Sequence, residues 1–232
     1  MPPVTRALLI ANVGMYLLRL LLGDSLIVWL ALWPWGPSHV LPLDGGGGVS
    51  VGFHVWQLLS YGFLHGGLTH LAFNMLALFM FGGPVERAFG ARAFLLYYAV
   101  SVVCAALAQL VVMAWFTGGF YPTLGASGGV FGLLLAFGLL WPQARIMLLF
   151  PPIPMPAWLF VTLYGAAELF MGVTGTMAGV AHFAHLGGML GGWLLIQYWR
   201  GKLPWKPRRT LRGDPPPRRR PPVAPPALLT SL

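Results

Sequence analysis

Ser127 is the residue of this sequence best suited to nucleophilic chemistry. It stands in the run GASGG, residues 125–129, where an apolar stretch begins. Glycines let a substrate backbone approach a hydroxyl closely, and the free N–H groups of a helix N-terminus can stabilise an oxyanion. Small residues four apart, such as Gly125 and Gly129, also serve close packing of membrane helices. Ser127 is therefore a nucleophile only if a general base lies beside it.

The pattern G-x-S-x-G around Ser127 also occurs in soluble hydrolases, where the serine follows a strand and precedes a helix. The apolar runs of this sequence are continuous and leave no room for a strand-rich sheet. We do not expect that fold, although the glycines and a helix N-terminus can serve the same chemistry.

His185 is the first candidate for the base. Gly188 and Gly192 follow it on one helix face, and we expect them to bring its helix against that of Ser127. A neutral imidazole within about 3 Å of the hydroxyl can take its proton. His182, three residues earlier on a nearby face, is the second candidate. A histidine bonded to a backbone carbonyl is the structural alternative.

His70 and Asn74 lie four residues apart and so share one helix face. Both side chains donate hydrogen bonds, which suits stabilisation of an oxyanion. A structural bridge between helices is the alternative for Asn74. We expect His65, five residues before His70, to hold the preceding loop in place.

The acidic residues are too few to predict a metal site or a catalytic triad. Four histidines, at 65, 70, 182 and 185, could supply metal ligands, but the hydrolytic zinc motif H-E-x-x-H does not occur. Of five Asp and Glu residues, only Glu168 falls within a predicted membrane span, near its outer end. We therefore expect no metal, no cofactor and a two-residue Ser127–His185 dyad.

Composition places these residues inside a membrane. Of 232 residues, 57% are hydrophobic and 8% are charged, against about 25% charged in soluble domains. A helix crosses the bilayer core with about 20 apolar residues. The sequence predicts an all-α membrane protein whose six spans occupy residues 5–22, 67–83, 93–116, 127–140, 157–171 and 179–199. The tryptophan-rich connection 24–55 is expected to lie partly in the membrane interface.

Basic residues set the orientation of the predicted spans. Arg6 precedes or opens the first span, and further Lys and Arg residues lie between the second and third spans, between the fourth and fifth, and after the sixth. Both termini are therefore predicted to be cytoplasmic. Spans two, four and six then run inward from the outer side, which places His70, Asn74, Ser127 and His185 in the outer half of the membrane. Residues 1–200 are predicted to form the membrane domain.

Residues 201–232 are predicted to be a basic, proline-rich, disordered cytoplasmic tail. The net charge of +9 comes mostly from this end of the chain. Contact with anionic lipid headgroups accounts for that charge, and no nucleic-acid partner is expected.

At this point the sequence resembles the rhomboid family of intramembrane serine proteases. The resemblance rests on four motifs, which occur in this order: HGGLTHLAFN at 65–74, GGPVE at 82–86, GASG at 125–128 and AHLGG at 184–188. Together they cover the predicted spans across nearly all of residues 5–200.

The resemblance implies a six-helix bundle in which Ser127 is the nucleophile and His185 the general base. It implies an oxyanion hole made by His70, Asn74 and the backbone N–H of Ser127. The fifth span and the loop at 173–178 would gate the entry of substrates, which are single-span membrane proteins cut in or near their spans.

Two positions differ from the family pattern. The family's loop often carries Trp-Arg where this chain has Trp56-Gln57, which questions how the loop is anchored. Some members have a tyrosine at the position of Phe131, which can stack on the histidine but cannot donate a hydrogen bond.

Two other function classes are alternatives to a protease. A rhomboid-like protein that binds membrane spans without cutting them would lack the serine or the histidine, and both are present. A small transporter or channel would carry ionisable residues at mid-membrane and inverted repeats, which the sequence does not display. The expected location is a bacterial cell (inner) membrane, and the sequence makes no prediction of oligomeric state.

Overall fold

The computed structural model describes residues 1–42, 47–147, 152–176 and 180–202, and these residues are predominantly helical. The predicted tail, from 203 onward, lies outside the described residues. The α-helices are α1 (Pro3–Leu22), α2 (Ser25–Leu30), α3 (Gln57–Ser60), α4 (Leu68–Ala77), α5 (Gly83–Phe89), α6 (Ala91–Val112), α7 (Ser127–Leu140), α8 (Ala157–Thr174) and α9 (His182–Trp199). A π-helical turn, Leu78–Gly82, joins α4 to α5, and a second, Met113–Thr117, extends α6. A short 3-10 helix, Tyr61–Phe63, follows α3.

Two small antiparallel hairpins complete the described fold. β1 (His39–Pro42) pairs with β2 (Gly48–Val51), with His39 opposite Val51. β3 (Arg145–Met147) pairs with β4 (Pro154–Pro156), with Arg145 opposite Pro156. The first hairpin lies in the connection before α3, and the second joins α7 to α8.

Four helical segments are long and apolar enough to cross a membrane. They are Pro3–Leu22, Leu68–Phe89, Ala91–Thr117 and Ala157–Thr174. The other two predicted spans correspond to α7, an apolar helix of 14 residues, and α9, with 18 residues. The second predicted span was too short, because the helix continues through Gly82 and Pro84 to Phe89; proline is tolerated in the first turn of a helical segment.

Glycines of α7 and α9 allow the helices of the core to touch. A methyl group added at Gly188 would collide with the backbone carbonyl of Gly128, so α9 and α7 are in direct backbone contact, as predicted. The prediction for Gly192 was wrong, because this residue faces Tyr97 and Ser101 of α6 instead of α7. Successive glycines on α9 therefore serve two neighbouring helices.

The carboxylate of Glu86 holds the start of α1. It accepts hydrogen bonds from the backbone N–H of Val4 at 2.9 Å, and from the backbone N–H and hydroxyl of Thr5, both at 2.7 Å. A helix N-terminus leaves N–H groups without intrahelical acceptors and favours negative charge. The GGPVE motif thus fastens α1 to α5.

Gln57 anchors the connection between α1 and α3. Its side chain is fully buried. Its carbonyl oxygen accepts from the backbone N–H groups of Trp33 and His54 at 3.3 and 3.1 Å. Its amide donates to the backbone carbonyls of Trp29 and Gly52 at 3.4 and 3.2 Å. The loop therefore has an anchor at the position where the family pattern often has arginine.

Candidate active site

Ser127 begins α7, and the backbone immediately before it is held from two sides. Gly125 has φ +130°, a conformation that favours glycine, and its N–H donates to the carbonyl of Tyr61 at 3.0 Å. Thr123 and Leu32 exchange two backbone hydrogen bonds of 2.9 Å each. The loop that presents the serine is thus tied to the connections before α3 and α4.

His185 lies against this serine. Its Nε2 is 2.8 Å from the hydroxyl oxygen of Ser127, a hydrogen-bond distance suited to proton transfer. Because α9 begins at His182, His185 sits in the first turn of its helix, closer to the helix end than the predicted start at 179 implied. The structure therefore brings these two side chains together.

Phe131, one turn after Ser127, stacks on the same imidazole. The two ring planes are tilted by 5° and their centroids are 4.2 Å apart. Phe131 also contacts the ring of Tyr164 of α8, with centroids 5.7 Å apart. The imidazole is therefore confined between a hydroxyl partner and a flat apolar ring.

A carboxylate stands behind His185, and the expectation of an isolated two-residue arrangement was wrong in this respect. Oε2 of Glu168 lies 2.8 Å from Nδ1 of His185 and 2.7 Å from Nδ1 of His182. One acidic side chain is sufficient here because α8 packs against α9 and carries Glu168 to both histidines. The signal was present in the sequence: an ionisable residue within an apolar span requires a polar partner.

His182 does not reach the serine. Its Nε2 lies 3.2 Å from the backbone carbonyl of Thr176, and its Nδ1 faces Glu168. The side chain is buried. Of the two histidines, His185 is the one whose nitrogen lies beside the Ser127 hydroxyl.

His70 and Asn74 lie on α4, on the wall of the cavity that holds Ser127 and His185. The His70 ring approaches Gly125 so closely that a methyl group added there would stand 2.8 Å from Cε1 and Nε2. The Asn74 amide donates one hydrogen bond to the His70 carbonyl at 2.9 Å, which leaves its second N–H for another acceptor.

His65 lies next to His70 in the loop before α4. The two rings meet edge to face with centroids 5.0 Å apart. Burial, together with the neighbouring His70 ring, lowers the pKa of His65 to about 4. The backbone carbonyl of His65 accepts a hydrogen bond of 2.6 Å from Arg19, which fits the expected role of this residue in holding the loop.

The cavity around Ser127 has a volume of about 1010 Å³ and runs between α4 and α8. Its polar end contains Ser127, His185, His70 and Asn74, and its far end reaches Met147 in β3. Between them the walls are apolar and come from Phe73, Leu76, Met80, Phe160 and Tyr164. The site therefore joins a reactive polar end to a long apolar groove.

Glu168, His182 and His185 are also of the residue types that hold metal ions, and their ligand atoms lie within 4.8 Å of one another. The two contacts to the carboxylate have hydrogen-bond lengths of 2.7 and 2.8 Å. Hydrogen bonding by itself accounts for the proximity of these three side chains.

The sequence matches the family model for the rhomboid domain over residues 52–201. The chain belongs to the rhomboid family. The match includes all four motifs and every residue of the candidate site. Helix α1 lies outside the matched residues.

Several rhomboid proteins are similar to this chain. The rhomboid protease GlpG of Serratia proteamaculans is 28% identical over 205 residues, which are 85% of this chain and 62% of that protein. The mitochondrial rhomboid protein 1 of Saccharomyces cerevisiae is 33% identical over 150 residues, 61% of this chain and 41% of that protein. The rhomboid protease GluP of Bacillus subtilis is 32% identical over 137 residues, 59% of this chain and 24% of that protein. This rhomboid thus spans less than two thirds of the length of each of these relatives.

Proposed function

We propose that this rhomboid is an intramembrane serine endopeptidase that cleaves single-span membrane proteins. Ser127 is the nucleophile and His185 the general base. The observation that carries the proposal is the 2.8 Å contact between Nε2 of His185 and the hydroxyl of Ser127, at the polar end of an apolar cavity. The protein crosses the membrane six times, with both termini cytoplasmic, in a bacterial inner membrane.

The reaction is an acyl transfer. His185 takes the Ser127 proton as the oxygen attacks the scissile carbonyl, and then gives it to the departing amine. Water hydrolyses the acyl-enzyme, again with His185 as base. Glu168 accepts a hydrogen bond of 2.8 Å from the Nδ1–H of His185, which keeps Nε2 free to receive the serine proton.

Charge that develops on the carbonyl oxygen needs donors placed in advance. The backbone N–H of Ser127 at the start of α7, the His70 ring and the remaining N–H of Asn74 are the proposed oxyanion hole. The apolar groove between α4 and α8 receives the substrate span. The gate proposed from the family resemblance includes residues 177–178, which lie outside the described residues.

The test is cleavage of a single-span membrane substrate reconstituted in liposomes with purified wild-type, Ser127→Ala and His185→Ala proteins. We expect cleavage by the wild type only, and labelling of wild type but not of Ser127→Ala by a fluorophosphonate. Thr162→Val, which changes an exposed hydroxyl on α8, is the matched control and should retain activity. Loss of cleavage in His182→Ala at every pH, with activity kept in His185→Ala, would contradict the base assignment. Binding of the span without cleavage or labelling would favour a non-proteolytic rhomboid-like binding protein.

A further inference from the structure

Two histidines share one carboxylate oxygen in this site. Nδ1 of His182 and Nδ1 of His185 lie 2.7 and 2.8 Å from the same atom, Oε2 of Glu168. All three side chains are buried. The partners of the two Nε2 atoms determine which ring nitrogens carry a proton.

Ser127 determines which ring nitrogen of His185 carries the proton. If His185 acts as the base, its Nε2 must accept from the Ser127 hydroxyl, so its proton sits on Nδ1 and is donated to Glu168. This step rests on the proposed function.

A backbone carbonyl determines which ring nitrogen of His182 carries a proton. A carbonyl oxygen only accepts, so Nε2 of His182 carries the proton in its 3.2 Å contact with Thr176. A neutral His182 then has no proton on Nδ1, and its lone pair would face Oε2 of Glu168 at 2.7 Å. A carboxylate and a bare nitrogen repel at this distance, so one additional proton must lie between them.

We propose that Glu168 and His182 hold one proton between them. The pair then presents no net charge to His185, while Oε2 of Glu168 still accepts a hydrogen bond from the Nδ1–H of His185. His182 is thereby a positioning residue, because it acts on His185 through Glu168. A neutral pair leaves His185 uncharged and available as a base. When His185 becomes an imidazolium, the shared proton moves fully onto His182 and the negative charge of Glu168 faces the new cation.

The Glu168–His182 pair is the main electrostatic influence on His185, because the cavity lining supplies few other titratable groups. Among the described residues that line the site cavity, the other titratable side chains are His70, Tyr61, Tyr121 and Tyr164. The described lining contains no Lys, Arg or Asp. A second cavity of about 310 Å³ is lined by His182 and Thr176, and Tyr121 is the other titratable side chain among its described lining residues.

The first experiment compares the pH dependence of kcat/KM in wild type, His182→Ala, Glu168→Gln and the double variant. His182→Ala leaves an unneutralised carboxylate beside His185, so the acidic limb should move up by about one pH unit or more. Activity near neutral pH should fall about tenfold and return at higher pH. A role of His182 in packing alone would lower activity without moving the limb.

Glu168→Gln provides the sharper comparison. One amide atom replaces Oε2, and it is either an oxygen, which faces the bare nitrogen of His182, or an NH₂, which forces His185 into the wrong tautomer. Activity should therefore fall at every pH. Removing His182 as well lets the amide oxygen serve His185 alone, so the double variant should be more active than Glu168→Gln and should have the acidic limb of the wild type. A double variant no better than Glu168→Gln, or an unmoved limb in His182→Ala, overturns the proposal.

A spectroscopic measurement keeps the proposal testable if a variant fails to fold. The wild-type protein, labelled with ¹⁵N at its histidines, is examined by NMR in detergent at pH 8, with His182→Asn used for assignment. We expect His182 to have a protonated Nε2 and a proton in a strong hydrogen bond at Nδ1. An unprotonated Nε2 on His182 overturns the proposal. If the wild type neither cleaves a substrate nor reacts with a fluorophosphonate, the proposed function fails, and this spectrum still decides where the proton lies.

Discussion

The aromatic ring of Phe131 lies flat against the imidazole of His185, with 5° between the planes and 4.2 Å between the centroids. Phe131 is on α7, the helix that also carries Ser127, whereas His185 is on α9. The stack therefore fixes the orientation of the proposed base relative to the nucleophile. It does so without a hydrogen bond.

Replacing Phe131 with leucine should lower kcat with little change in KM. Aromatic stacking contributes about 0.5–1.5 kcal/mol, so we expect kcat to fall by about 2- to 12-fold as the imidazole gains freedom. The measurement is steady-state cleavage of a model span in liposomes. Phe131→Tyr keeps the stack and should stay near wild type; equal losses in both variants would show that stacking is not the reason.

Gly125→Ala should abolish most of the activity. The backbone there has φ +130°, and the added methyl group would stand 2.8 Å from the His70 ring. Displacement of one oxyanion donor costs about 100-fold or more in kcat. Gly67→Ala is the control, because Gly67 has extended backbone and open space around its Cα. Undiminished cleavage by Gly125→Ala would remove His70 from the proposed oxyanion hole.

Gly188→Ala should destabilise the folded protein. The methyl group would collide with the Gly128 carbonyl and push α9 away from α7. Overpacking of this kind costs about 1–3 kcal/mol, and we expect a Tm several degrees lower in detergent, with weaker cleavage. In Gly165→Ala the new methyl group meets only Met189 at ordinary contact distance. That variant should melt with the wild type, and a matching loss there would contradict the close-contact explanation.

The pH dependence of stability should contain a contribution from His65. This histidine is fully buried, and its pKa is lowered from 6.5 to about 4 by burial and by His70. Because the unfolded chain binds the proton more readily, His65 stabilises the fold above pH 6.5, and this contribution is lost as the pH falls towards 4. The loss is on the order of 3 kcal/mol.

Thermal unfolding between pH 7.5 and 4.5 tests this contribution. Wild type should lose Tm over this range more steeply than His65→Gln, which cannot take up the proton. His54→Gln serves as the control, since His54 is exposed. Parallel curves for wild type and His65→Gln would rule out the contribution of His65.

The proposed protease should cut a less stable substrate helix faster. A peptide bond within a helix is shielded by the surrounding turns, so the span must unwind before Ser127 can attack. Exchanging a glycine near the cut site for alanine stabilises the helix by about 1 kcal/mol, and cleavage should slow about fivefold. The same exchange placed two turns away is the control, and equal slowing at both places would argue against local unwinding.

Much of the fold could be predicted from the sequence. Hydropathy is a property of consecutive residues, so all the apolar segments except the second, which was predicted too short, were located within a few residues of the observed helices, and α7 was predicted at 127–140 as observed. The direction of successive helices then placed Ser127, His70 and His185 at one level. The contact between Glu168 and the two histidines was not predicted. Hydropathy identifies the apolar span but does not indicate towards which neighbouring helix the single acidic side chain points.

What the sequence determined was the class of protein and the order of its polar motifs, because composition and spacing depend only on neighbours along the chain. The tertiary structure decided which of those polar groups touch. It turned Glu168 of α8 towards both histidines, turned Gly192 towards α6, and gave Gln57 four backbone partners. These contacts depend on the rotation and depth of each helix against its neighbours, and close packing between helices fixes both.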